Sequence, residues 1–484
     1  SQKLSLLERL KIDIAVSQKV KFPPEYWYET YGIDVPEGGP EEIDLKEFEN
    51  QKDPLKKKEP TNDLIDSCCD DDHPFFNHHA HPIPVTAQLN KGEEELLEKL
   101  FKNKSGAYDP KTLKQNTTQL VSAIRENFSV NAGFDEPDYL MGTWMELNVN
   151  RFGFDKNLAQ ILELNKALDP TETFSQFKKK ADQILEKYNR TYLETEYNHA
   201  IAVSQNAAAW QRQKAEADDF PFGKYQTAGD SNVRPAHQAL DGKVFRFKDP
   251  DFQSIYPPNG YNCRCEVIQL PTEDVDPSEI INGKQAVGLL GTDWDKMVKT
   301  GFNKNRGESA DVFELNKVYI NDHPEAKNIK PNDLTFKDAG LAPLSKAYRN
   351  SKRILNPSKT ATKESILSSF ETRKKKGPVQ ELMALKDHSG RNVGISKKAL
   401  EKNLTSENIG NWPKVSRTLK NPDEIYLLEQ SGSVATYNYL KFYQDKIMKV
   451  TVQVTKAEGL MLDKWETSTE DEARKGILIH GGIE

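Results

Sequence analysis

The sequence predicts an α+β protein of several domains, and three observations carry that expectation. Apolar residues recur at helical spacing in the first residues and again from Glu93 to about Asp218, a turn-rich stretch follows, and 373–484 ends in short alternating runs of β-branched and aromatic residues. Helices followed by a run of strands, rather than strict alternation, argue for α+β over a doubly wound sheet. A length of 484 residues suits two to four domains, and 36% hydrophobic with 29% charged residues describes a soluble chain. No run approaches the roughly 20 apolar residues of a membrane-spanning helix, and the opening SQKLSLLERL lacks the basic, apolar, small-residue order of a signal peptide. Four cysteines in 484 residues form no disulfide framework, so a reducing, intracellular history is expected.

In chain order, Leu4, Leu7, Leu10 and Ile14 predict a helix, and KFPPEYWYETYGIDVP, Lys21 to Pro36, an aromatic, proline-bounded helix and turn; 1–37 is read as one helical region. The segment 38–91 is rich in Asp, Glu, Pro and Lys and reads as an acidic linker. Net charge is -7 overall but uneven. Glu25 to Asp72 holds 16 acidic and 5 basic residues, whereas Lys346 to Lys420 holds 18 basic and 6 acidic. The two regions therefore meet different surroundings, and Arg373, Lys374, Lys375 and Lys376 form either a phosphate-attracting cluster or a solvated linker. CCDDDHPFFNHHAH within the linker crowds Cys68, Cys69, His73, His78, His79 and His81 without a ligand spacing, which suits adventitious metal binding rather than a built site.

From Glu93 to Asp218 the pattern is helical. Leu96, Leu97 and Leu100 mark one helix, Leu120, Ile124 and Phe128 a second, Phe174, Phe177, Ala181 and Ile184 a third, and Tyr192 to Ala217 a longer fourth with His199 as a packed core residue. Thr227 to Leu270 then gathers Asp230, His237, Cys263 and Cys265 among prolines and glycines with no continuous apolar run. Thiolate and imidazole are zinc's preferred ligands, and Cys-x-Cys supplies two sulfurs from one turn. One reading is a structural zinc clip of these four residues, which would hold a loop with little to bury. The other makes the cysteines small buried residues at the start of a strand, Cys265 to Leu270, with His237 capping a turn.

The same residues carry a resemblance. Asp230-x-x-Val-Arg-Pro-x-His-x-x-Leu-Asp-Gly-Lys-Val-Phe, then Tyr256-Pro-Pro-Asn-Gly-Tyr-Asn-Cys-Arg-Cys-Glu-Val, resembles the signature of the phage Mu F-type minor head (head morphogenesis) proteins of tailed phages. The resemblance spans Asp230 to Val267, the helical region before it from about Gly133 also fits, and 92–270 is read as the head-protein domain. It implies a virion-head protein, made in the bacterial host cytoplasm, with portal and other capsid proteins as partners. The order of elements in 1–37 is similar to the end of Mu-type portal proteins, and equally to a plain helical hairpin.

Beyond Leu270, 271–372 reads as a connector and irregular subdomain, with one helix marked by Trp294, Met297, Val298 and Phe302. In 373–484 the expected elements are a strand pair, Gln380 to Asp387 and Arg391 to Ile395, a serine-capped helix to Leu404, a helix over Trp412 to Leu419, and strands Glu424 to Glu429, Val434 to Phe442, Ile447 to Val454 and Gly476 to His480, a small antiparallel sheet. Asn421-Pro-Asp-Glu-Ile, Tyr439-Leu-Lys-Phe-Tyr and Arg474-Lys-Gly-Ile-Leu-Ile resemble the phage domains grouped with barnase, EndoU, colicin and RelE-like nucleases. That resemblance implies metal-independent RNA cleavage by attack of a ribose 2'-hydroxyl, which needs a base, an acid and a cation. Arg417, Lys441 and Arg474 are the candidate cations, Tyr437 a donor, Thr467 and Thr469 backbone contacts, and His480 a titrating group. Ser396 to Ile409 lacks the histidine expected after the first helix. The domain is therefore either a toxin-like nuclease, carried by a phage-derived protein and matched by an immunity protein, or a basic unit that binds RNA or packaged DNA inside the capsid.

Overall fold

In a computed structural model, the described residues are 91–103, 108–169, 171–315, 319–344, 353–431, 434–444 and 446–482. The expectations for 1–37, for the linker 38–91 to its penultimate residue, and for Cys68 to His81 lie outside them. Helices α1 (Lys91–Asn103), α2 (Pro110–Arg125), α3 (Pro137–Ala167), α4 (Phe174–Glu186) and α5 (Leu193–Ala215) come first. Their starts follow local chemistry. Asp109 caps α2 by accepting from the Thr112 amide, and Thr173 with Gln176 forms a capping box on α4. The longest, α3, had no amphipathic signature in the sequence, because it is buried on nearly every side, Lys156, Asn157 and Gln160 included.

Strands β1 (Phe222–Gln226), β2 (Val244–Arg246) and β3 (Glu266–Leu270) make a small antiparallel sheet of order β2-β1-β3, with Tyr225 opposite Val267. Trp210, Tyr225, Leu240, Phe245, Phe247, Phe252, Ile255, Tyr256 and Val267 are buried around it. The expectation that this stretch has little to bury is corrected here. Its apolar residues are aromatic and scattered over turns, so they make a core without making a run. Helices α6 (Gly283–Leu290) and α7 (Thr292–Thr300) pack beside it, burying Met297 and leaving Val298 exposed.

Gly283 begins α6 where any Cβ would lie 2.3 Å from the Asp251 Cβ and 2.7 Å from its carbonyl carbon, while its amide donates to Asp249 at 2.8 Å. Backbone cannot yield as a flexible side chain can. Gly283→Ala is expected to cost about 1–3 kcal/mol, read as a lower urea midpoint at unchanged m-value.

The C-terminal part contains α8 (Lys363–Arg373), β4 (Lys375–Lys376), β5 (Glu381–Lys386), β6 (Asn392–Ile395), α9 (Lys397–Asn403), α10 (Trp412–Lys420), β7 (Glu424–Ser431), β8 (Val434–Phe442), β9 (Ile447–Thr455), β10 (Gly459–Ser468) and β11 (Ile477–Gly481). Ser396 caps α9 through the Ala399 amide. The eight strands run in the order β11-β7-β8-β9-β10-β6-β5-β4, and the sheet is mixed by virtue of the parallel Met461–Gly394 pairing of β10 with β6. β10, with no counterpart among the expected strands, fills the place between β9 and β6.

This sheet does not stand apart from the helices. Glu146 on α3 joins Arg125 of α2, at 2.7 and 3.1 Å, to buried Arg391 beside β6. Arg151 reaches Glu429 of β7, the Leu478 amide donates to the Tyr108 hydroxyl at 3.1 Å, and Tyr139 donates to the Asn392 carbonyl at 3.0 Å. Helix α3 and the residues leading into α2 thus end polar bonds on the sheet and the turn beside it.

His199 of α5 sits where the sequence put it, in the core. It is 1% exposed, its Nε2 lies 3.0 Å from the Val312 carbonyl, and its Nδ1 has no hydrogen-bond partner among the described residues. Burial, reinforced by the nearby Arg306 charge, pushes its pKa down to about 3. The unfolded chain therefore takes this proton first, and the stability that neutral His199 contributes is present above about pH 6.5 and lost as pH falls toward 3. Relative to His199→Gln, which keeps a donor for Val312, the natural chain should lose about 2 kcal/mol more between pH 6.5 and 4.5. Urea titrations of both at the two pH values check this.

Candidate metal centre

Two chain segments bring the candidate ligands together. Pro235 starts a helical turn, Pro235–Gln238, whose third residue is His237, and the prolyl ring's fixed φ suits that first position. Asn262, at a φ of 57°, turns the chain so that Cys263 and Cys265 enter together at the foot of β3. His237 Nδ1 lies 3.8 Å from Cys263 Sγ and 3.5 Å from Cys265 Sγ, and all three residues are about 3% exposed. All three ligand atoms lie within 4.8 Å of one another.

Zinc bound to sulfur at about 2.3 Å and nitrogen at about 2.0–2.1 Å in a tetrahedron needs a sulfur–nitrogen separation of about 3.6 Å. The residues therefore fit a tetrahedral ion with little movement. Both cysteines are unbridged. Cys263 is held well below the usual thiol range, first by the hydrogen bond from Cys265 and then by His237, against the opposing effect of burial. Cys265 is pushed up by donating that hydrogen bond and by burial. A bound cation would favour the thiolate form of both cysteines.

Asp230 stands outside the cluster. Its two carboxylate oxygens accept from Arg264 at 2.6 and 2.7 Å, which holds its carboxyl below the usual range and fixes the guanidinium beside Cys263 and Cys265. Arg234 donates to the Tyr261 carbonyl at 2.5 Å, and Tyr225, buried beneath the sulfurs, donates to Asn259 at 2.8 Å.

The residues singled out in 373–484 do not converge. Arg474 is buried on Glu424, Lys441 is spent on Asp423 and the Asn421 carbonyl, and Tyr437 is buried against α3. Arg417 is exposed on α10, Thr467 is exposed on β10, and Thr469 starts the short helical turn Glu470–Ala473. His480 alone has a chemical neighbour of interest, His388 in the β5–β6 turn, with ring centroids 4.7 Å apart. Asp387 beside it accepts from the Tyr439 hydroxyl at 3.1 Å. Burial and the His388 charge push His480 down to about 4, and burial pushes His388 down. His388 carried no sequence signal, because only the curl of the sheet brings the β5–β6 turn round to β11.

Residues 161–268 match the family described as Phage Mu protein F like protein. The Mu-like prophage FluMu F protein of Haemophilus influenzae is 42% identical over 143 residues, covering 24% of this chain and 34% of that protein. The putative capsid assembly protein F of Escherichia phage Mu is 37% identical over 78 residues, covering 16% of this chain and 18% of that protein. The chain thus spans about a third or less of the curated relatives it matches. No solved structure matches it significantly. Among the described residues no helix is long and apolar enough to cross a membrane. The matched segment ends just past Cys265 and contains His237 and both described cysteines, so the candidate metal centre lies within the part of the chain that is similar to Phage Mu protein F like proteins.

Proposed function

We propose that this chain is a minor head protein that takes part in capsid assembly beside the portal, with a structural zinc held by His237, Cys263 and Cys265. The observation that carries the reading is the coincidence of the Mu F-like match, 161–268, with the buried His-Cys-Cys cluster. In this reading 92–270 is the head-protein part, 271–372 connects, and 373–484 is a basic α+β part that faces nucleic acid; portal and capsid proteins are the partners, and the virion head is the destination. Zinc would stiffen the loop, and its donors are two soft thiolates and an imidazole, the set zinc prefers. The test is assembly. The chain should co-purify with heads, and Cys263→Ser with Cys265→Ser should lower the yield of heads at unchanged expression of the chain. A chain missing from purified heads would refute the proposal.

A second reading, RNA cleavage by 373–484, is favoured by the His388–His480 pair, since of two adjacent imidazoles the neutral one can act as base while the other, once protonated, acts as acid. The full chain should then cleave RNA, and His480→Ala should remove the cleavage while leaving the urea midpoint within about 1 kcal/mol of stability. Absence of cleavage of every RNA tried would sink it.

A further inference from the structure

His237, Cys263 and Cys265 line a recess that opens to solvent, and Asn232, Arg234, Asn262 and Arg264 share its wall. Among the described residues no fourth His, Cys, Asp or Glu completes the group. Asp230, the acid that the sequence reading grouped with them, has both oxygens on Arg264. Zinc takes four ligands, and a site with three protein donors leaves its last position to a ligand from outside.

Charge selects what that ligand is. Two thiolates balance a divalent ion, the imidazole is neutral, and the Asp230–Arg264 pair cancels. Asp293 feels the charge of Arg234 and His237 but is itself paired with Lys296 at 2.6 Å, so Arg234 adds a cation to the recess wall, and Gly260 makes room for it, since a Cβ there would lie 3.3 Å from the guanidinium Nη1. A neutral metal centre beside one guanidinium favours an anion, and the planar fork suits a carboxylate or a similar oxyanion.

We propose that the metal's fourth position faces this recess and takes an exchangeable carboxylate, held by Arg234. The proposal rests on the metal reading above and deepens it. The carboxylate is either a free small molecule or an Asp or Glu side chain of a neighbouring subunit, and the chemistry at the metal is the same for both.

Cobalt-substituted full-length protein tests it, because cobalt's visible bands report coordination without any activity. One cobalt per chain is expected, with bands that shift saturably when acetate or azide is added. Arg234→Gln should weaken acetate about tenfold, the loss of one charge-assisted hydrogen bond, at unchanged cobalt stoichiometry. In purified heads loaded with cobalt, an acetate-like spectrum without added acetate assigns the carboxylate to a neighbour, and a shift only on adding acetate assigns it to a free molecule; either supports the proposal. One bound cobalt with bands indifferent to both anions would overturn it while leaving the clip intact. A response that appears only in Asp230→Asn would overturn it too, by giving the fourth position to Asp230. Failure to bind cobalt or zinc at all would instead remove the metal reading beneath it.

Discussion

Replacing Arg474 with alanine is expected to lower the unfolding free energy by about 3–5 kcal/mol. The guanidinium donates to both oxygens of Glu424 at 2.7 and 2.6 Å, to Glu470 at 2.7 Å and to the Ala342 carbonyl at 3.0 Å, and it lies 4.5 Å over the Phe336 ring. Both Arg474 and Glu424 are 3% exposed. Truncating the arginine leaves a buried carboxylate whose remaining described hydrogen bond comes from Tyr426, and an uncompensated buried charge is far more costly than the intact pair is stabilising. Arg474→Lys keeps the charge but loses the fork, so it should fall between the two. Urea denaturation of the three proteins decides it, and a loss below about 1 kcal/mol for alanine would show that Arg474 does not hold the sheet. It follows that loss of RNA cleavage in Arg474→Ala, taken alone, says nothing about catalysis.

The second large effect concerns zinc. The purified chain should carry one zinc, and Cys263→Ser or Cys265→Ser should each weaken zinc by more than about a hundredfold, since even changes around metal ligands cost 10–100-fold. Zinc analysis after dialysis against a graded chelator measures it; a natural chain without stoichiometric zinc would refute the clip. The consequence for stability is local. Trp210, Phe245, Phe252 and Tyr256 hold the surrounding fold by burial, so removal of zinc should release amide exchange in 227–242 and 259–265 while the sheet of 424–481 keeps its protection.

How much was legible depended on whether the signal was local. The Ser396 cap, the alternation from Val434 to Phe442 and the Leu96, Leu97, Leu100 spacing are written within one turn or one strand, and the elements they predict are present. Helix α3 was not legible because periodicity needs a wet face, and burial on nearly all sides erases it. Strand β10 was missed because Asp463, Lys464 and Glu466 interrupt its apolar run; they are tolerated because Lys402, Lys449 and Lys464 pair with those carboxylates.

At the candidate metal centre, residue types were enough to name His237, Cys263 and Cys265, since few side chains bind zinc and Cys-x-Cys brings two together by chain connectivity alone. Connectivity could not separate Asp230 from the ligands. Whether its carboxylate faces a metal or a guanidinium depends on where Arg264 lies, and Arg264 is placed by the turn at Asn262 and the start of β3. The same holds for Arg474 and Lys441. From sequence a cation next to alternating strands looks available for phosphate; in the fold it is consumed by a carboxylate from 50 or 18 residues away. By itself, then, the sequence determined most of the element types, the family-like signature and the grouping of His237, Cys263 and Cys265 as candidate ligands, all of which rest on short-range chemistry. Only the tertiary structure decided which charges are already paired and which histidines meet, because pairing is a property of surfaces brought together by packing.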